Sequence, residues 1–168
     1  MSDTGKKRIL HIAKHVVILW LIFLLQTLLL SRFRLFGIAP LLLPIAVVSI
    51  ALFEGAHWGA SMGLLAGIMS DAAFSGHVVF FTALLTALGF FVGHLAASVL
   101  TRGFWAHVLC SFLVLLVIAV LQLFPLLVFY RQPPVALFTV ALYQTLYSMA
   151  FALPLYYVGR GLGRKGVK

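Results

Sequence analysis

An all-α membrane protein with six transmembrane helices is the fold class this sequence predicts, and three observations predict it. Of its 168 residues, 64% are hydrophobic and only 9% are charged, with a mean hydropathy of +1.17. Soluble domains run at about 45–50% apolar and about 25% charged, so an ordinary soluble enzyme, a disordered segment and a free nucleic-acid-binding domain are excluded. The apolar residues come in runs long enough for a bilayer, separated by arginine, glycine and proline. The basic residues gather at both ends, Lys6, Lys7, Arg8 and Lys14 against Arg160, Arg164, Lys165 and Lys168.

A helix needs about 20 apolar residues to cross about 30 Å of hydrocarbon. The first run, 9–30, is interrupted in its apolar half only by Gln26 and is closed by Arg32 and Arg34. Lys-Lys-Arg before an apolar stretch looks like a signal peptide. Leu30 is followed by Ser-Arg-Phe-Arg, not by an A-x-A-like cleavage site, so a retained helix is expected. The block 40–70 is broken by Glu54, Gly55 and His57. As one helix it would be about 46 Å long, so two short helices, about 40–53 and 56–70, are the better reading. Helices at about 78–100, 104–130 and 135–158 follow, with Arg102-Gly103 and Arg131 with Pro133 and Pro134 marking the turns. The whole chain, 1–168, forms one integral membrane domain. Pro44, Pro125 and Pro154 are expected to kink or shorten their helices. Trp58, Trp105, Tyr130, Tyr156 and Tyr157 fall near helix ends, as an interfacial aromatic belt requires.

Charge placement tests the helix number. Two basic termini argue that both are cytoplasmic, which demands an even number of crossings. With six, Arg102 joins the inner side, giving nine basic residues inside against Arg32, Arg34 and Arg131 outside. Merging the second and third helices gives five crossings and puts one basic terminus outside. The net charge of +9 therefore reads as a topology signal directed at anionic lipids, and no nucleic-acid partner is expected.

The sharpest internal pattern is a glycine ladder. Gly55, Gly59, Gly63 and Gly67 stand four residues apart, with Asp71 four further on. Residues at i and i+4 share a helix face, so the row is a smooth strip ending in a carboxylate. Small residues allow the close backbone approach that dispersion needs where lipid supplies little hydrophobic drive. Gly89, Gly93 and Ala97 repeat the pattern on the fourth helix. Packing within the chain, a groove for a partner helix and a small-ligand cavity all fit this strip.

Chemistry-bearing residues do not converge. Glu54 and Asp71, the only acids besides Asp3, lie at helix ends on opposite sides of the membrane. Capping or snorkelling suits them better than general acid–base work. Gln26, Gln122 and Gln144 are expected to hydrogen-bond between helices. His11 and His15 are one turn apart but sit in a lysine-containing arm without further ligands. His57 and His77 are loop residues on opposite faces, while His94 and His107 are isolated on separate helices. No metal is expected. Cys110 is the only cysteine, which excludes a disulfide framework and cysteine-based zinc. The serines form no G-x-S-x-G elbow or triad. The tail G-R-G-L-G-R-K-G follows no strand and reads as a basic tail rather than a phosphate loop. No catalytic, cofactor or metal residue is assigned, and an enzyme is not expected.

These residues resemble the rod shape-determining protein MreD family of bacteria. The resemblance is carried by Pro40-L-L-L, by E-Gly55-A-H-W-Gly59-A-S-M-Gly63-L-L-A-Gly67-I-M-S-Asp71, and by A-L-Gly89-F-F-V-Gly93-H-L. It extends over about residues 9–97; the last two helices agree in length and apolarity. The loop after Asp71, A-A-F-S-G-H-V-V, departs from the family's Leu-Gly step. The resemblance implies a fold similar to the substrate-binding subunits of vitamin transporters and a place in the bacterial inner membrane. It further implies a non-enzymatic scaffold of the cell-elongation machinery, the elongasome. Its partners would be an MreC-like bitopic protein, an MreB-like filament protein and, directly or indirectly, a transpeptidase and a glycosyltransferase of lateral peptidoglycan synthesis. The runner-up is a solute-binding membrane subunit of a vitamin-type transporter, since one fold can serve both.

Overall fold

The computed structural model describes residues 3–30, 40–74, 80–98, 103–128 and 134–163. Tyr130, His77, the loop at 75–79, Arg32, Arg34, Arg102, Arg131, Pro133 and the last five residues of the tail lie outside them. The described residues form seven helices and no strand: α1 (Asp3–Leu24), α2 (Leu42–Glu54), α3 (Ala56–Phe74), α4 (Phe80–Ser98), α5 (Phe104–Val128), α6 (Pro134–Ala150) and α7 (Ala152–Gly163). A π-helical segment, Leu25–Leu30, prolongs α1.

Among the described residues, three helical stretches are long and apolar enough to cross a membrane: Ile9–Leu28, Phe81–Ser98 and Phe104–Gln122. A fourth follows if the bent pair Phe138–Ala150 and Ala152–Gly161 is one span. With 13 residues, α2 is only about 20 Å long, shorter than the hydrocarbon layer. The 19 residues of α3 are long enough, but glycine, alanine and serine make up about half of them.

The core is built around α2. An apolar helix with no polar stripe must be buried on every side, and every residue from Leu42 to Leu52 is buried. It touches α1, α3, α4, α5 and α7. Leu43, Ile45, Leu52, Leu85 and Ile118 are fully enclosed. By contrast α1 is thinly covered, with Leu10, Val17, Trp20 and Leu21 exposed along it. Such apolar surface is what a lipid-facing helix presents.

The N-terminus of α2 is buried in apolar surroundings, so its orphan N–H groups need acceptors from elsewhere. The Leu42 and Leu43 N–H groups both donate to Gln26 Oε1, at 2.9 and 3.0 Å. The Leu41 N–H donates to Ser148 Oγ at 2.9 Å. Pro44 has no N–H and occupies the first turn, where none is needed. Of the two effects expected at Pro44, a kink or a shortened helix, the kink is absent, because α2 begins at Leu42 and the proline lies in its first turn instead of interrupting a ladder.

Sequence and structure also part at two helix boundaries and in the aromatic belt. The last helix, expected at 135–158, is broken at Phe151, and its halves meet at 44°. Pro154 cannot bond the Ala150 carbonyl, and the Phe151 N–H turns back to Ser148 O at 3.0 Å. The third helix runs on to Phe74, so Asp71 sits inside its final turn and not beyond its end. The aromatic belt also loses members. Trp105 and Tyr157 are exposed, but Tyr156 is buried among Phe53, Phe104 and His107. Its ring fills the core, which an interfacial tyrosine does not do. Trp58 is half-buried against two histidines.

Candidate functional site

The glycine ladder lies along the α3–α4 seam. These two antiparallel helices come so close that an added Cβ would strike backbone at each rung from Gly59 onward. At Gly59 it would meet the Gly89 carbonyl, at Gly63 the Leu85 carbonyl, and at Gly67 the Thr82 backbone. From the other side, a Cβ at Gly89 would meet the Gly59 carbonyl, and one at Gly93 would come within 2.5 Å of Ala56 Cα. The small faces of the two helices cover one another. Ala97 is exposed and takes no part; its neighbour Ala96 is the buried residue, beside Leu52 and Ala106. Gly55 stands apart from the other rungs. It is the hinge between α2 and α3, at φ +97° and ψ −177°, a backbone state that is essentially glycine's alone.

Asp71 closes this seam. Its Oδ1 accepts the Phe81 N–H at 3.0 Å, and its Oδ2 accepts the Thr82 N–H at 2.9 Å and the Thr82 hydroxyl at 2.6 Å. The carboxylate thus satisfies donors in the first turn of α4 and lies at the positive end of that helix's dipole. Asp71 and Glu54 are at opposite ends of α3, about 25 Å apart along its axis. They do not form an acid–base pair.

Two polar groupings escaped the sequence reading. In the first, His107 of α5 is fully buried and its Nε2 lies 2.7 Å from Ser49 Oγ. Ser49 Oγ also lies 2.9 Å from the Ile45 carbonyl of its own helix, within reach as a donor. The His107–Ser49 pair ties α5 to α2. Gly159 lets α7 approach the same place, since a Cβ there would come 2.8 Å from Ser49 Cβ. His107, expected to be isolated, is a structural crosslink.

The second grouping corrects the expectation that His11 and His15 lack further ligands. Glu54, at the C-terminal end of α2, brings Oε2 to 3.3 Å from His11 Nε2 and Oε1 to 3.6 Å from His15 Nε2. The His15 Nδ1–H donates to the His11 carbonyl at 2.9 Å. Trp58 of α3 walls the cluster, with its ring centroid 5.2 Å from each imidazole. The i, i+4 spacing of the two histidines was the available signal. The third member comes from a segment 43 residues away, and no local pattern could supply it.

The geometry so far defines an all-helical protein with several membrane-length apolar helices. Among the described polar side chains, Gln26, Ser148, Asp71, His107 and Glu54 cap or crosslink helices, while most serine and threonine hydroxyls bond a carbonyl of their own helix. Compared with protein-family models, curated proteins and solved structures, the chain matches none.

Proposed function

We propose that this chain is a non-enzymatic membrane scaffold of the bacterial cell-elongation machinery, of the kind the MreD family provides. In this reading it crosses the inner membrane six times with both termini cytoplasmic. It helps maintain rod shape by organising lateral peptidoglycan synthesis with an MreC-like bitopic protein and an MreB-like filament protein. The observation that supports it is the α3–α4 seam. Of the residues that carry the resemblance, Gly59, Gly63, Gly67, Asp71, Gly89 and Gly93 bring two helices into backbone contact and cap the second, while Pro40 and Gly55 lie outside the seam. A rigid helical plate suits a protein whose work is to hold partners in register.

Replacing Gly63 or Gly67 with leucine tests the reading in cells of a rod-shaped host that depends on this chain. The expected result is rounded cells and weaker co-purification of the MreC-like partner. Normal rods with unchanged co-purification, in a variant shown to be stably inserted, would overturn the proposal. One observation favours the second reading, a solute-binding subunit. A groove of about 570 Å³ opens between α1 and α3, lined among others by Val16, His57, Trp58 and Met62. A small molecule retained stoichiometrically through purification would put that reading first.

A further inference from the structure

We propose that His11, His15 and Glu54 form a binding site for a divalent transition-metal ion of the zinc class, which clips α1 to the α2–α3 corner. The proposal stands apart from the scaffold reading and rests on the geometry of this cluster.

Two histidines one turn apart on α1 present their rings on one face, and Glu54 arrives where α2 ends at the Gly55 hinge. One ligand atom from each residue can be chosen so that all lie within 4.8 Å of one another. Zinc–nitrogen and zinc–oxygen bonds of about 2.0–2.1 Å in tetrahedral array place neighbouring ligand atoms about 3.3 Å apart. The two shortest approaches, His11 Nε2 to Glu54 Oε2 at 3.3 Å and His15 Nε2 to Glu54 Oε1 at 3.6 Å, are close to that edge, and each uses a different carboxylate oxygen, so both oxygens of Glu54 face the site.

The hydrogen bonds identify which atoms are left to bind. His15 commits its Nδ1–H to the His11 carbonyl, which turns Nε2 toward Glu54. Orienting an imidazole through its other nitrogen is the usual outer-shell arrangement of a metal-bound histidine. His15 is fully buried, and neither its Nε2 nor Glu54 Oε1 has a hydrogen-bond partner. At 3.6 Å they are beyond direct hydrogen-bond reach. A neutral His15 with its hydrogen on Nδ1 leaves two lone pairs facing each other in a buried site, an arrangement that costs free energy. A cation between them satisfies both. His11 Nε2 completes three protein ligands, leaving a fourth position for water.

The donor set selects the ion. Imidazole with carboxylate suits zinc, cobalt, nickel and copper, whereas magnesium and calcium prefer all-oxygen shells. Trp58 covers the rings, and the partly exposed His11 side chain, 23% accessible, leaves the site open to an ion from outside. The consequence is mechanical. With so much of α1 exposed, a metal bond adds a strong tie where side-chain packing is thin.

The test uses the full chain in detergent, purified through an affinity tag free of histidine and titrated with Co²⁺. We expect one ion per chain, with the intense visible bands of four-coordinate cobalt, displaced by Zn²⁺ but not by excess Mg²⁺ or Ca²⁺. His15→Ala and Glu54→Gln should weaken binding by more than the roughly 10–100-fold that losing an outer-shell partner costs. His94→Ala, exposed on α4, should bind as wild type does. A chelator should lower the melting temperature of the wild type and leave that of Glu54→Gln unchanged. Absence of the cobalt bands from folded wild-type protein overturns the proposal, whatever becomes of the variants. So does wild-type affinity in His15→Ala, or loss of binding in His94→Ala.

Discussion

Replacing Gln26 with leucine should be among the most damaging single changes in this chain, although it makes a helix facing lipid more apolar. One oxygen, Gln26 Oε1, accepts both the Leu42 and the Leu43 N–H at 2.9 and 3.0 Å. Gln26 is 5% exposed and the α2 residues around it are buried. Leucine fills much of the same space but accepts nothing. Each buried donor left unpaired costs about 1–3 kcal/mol, so the pair predicts a loss of about 2–6 kcal/mol. The assay is reversible unfolding in mixed micelles with increasing denaturing detergent, followed by tryptophan fluorescence. Leu28→Ala is the control, because Leu28 lies on the same π-helical segment, is 66% exposed and should shift stability by no more than about 0.5 kcal/mol. A Gln26→Leu variant as stable as that control would refute the capping argument and imply that α2 finds other acceptors.

Two further outcomes follow from the same physics. Asp71→Ala should destabilise by about 0.5–2 kcal/mol through loss of the α4 cap. Asp71→Asn should recover part of that, because its remaining carbonyl oxygen still accepts one N–H; unfolding midpoints of the three proteins order them. Gly55→Ala should cost about 1–3 kcal/mol although a Cβ there meets nothing within 4 Å, since the strain lies in the backbone. Gly161→Ala, with equally open space and no positive φ, should instead stabilise α7 by about 0.5–1 kcal/mol. Equal effects at the two glycines would show that space, not conformation, governs.

What could be read from the sequence was local. Apolar runs gave helices whose positions mostly agree with the structure, and Glu54-Gly55 marked the break between α2 and α3. Four-residue glycine spacing defined a strip but not what lies on it; that α4 covers it depends on which helices become neighbours. The same limit hid Glu54 from His11, and Gln26 from α2, because periodicity specifies a face without naming its occupant. Proline was only half informative, for a related reason: Pro154 accompanies a break in its helix as expected, whereas Pro44 makes no kink. Whether Pro44 caps or Pro154 breaks depends on whether its missing N–H falls in a first turn or inside a continuous helix. Tyr156 and Trp58 look interfacial by position, yet burial sends one into the core and the other against two imidazoles.

The capping of α2 also imposes an order on assembly. Ser148, the acceptor for the Leu41 N–H, lies 107 residues further along the chain. While the polypeptide is being made, α2 exists for most of that interval with its leading turn incompletely satisfied. Its central place in the bundle becomes final only after α6 has been synthesised and brought alongside. A chain truncated before α6 would lack more than its last helices: it would leave the Leu41 N–H at the head of the innermost helix without its acceptor, although Gln26 would still hold Leu42 and Leu43.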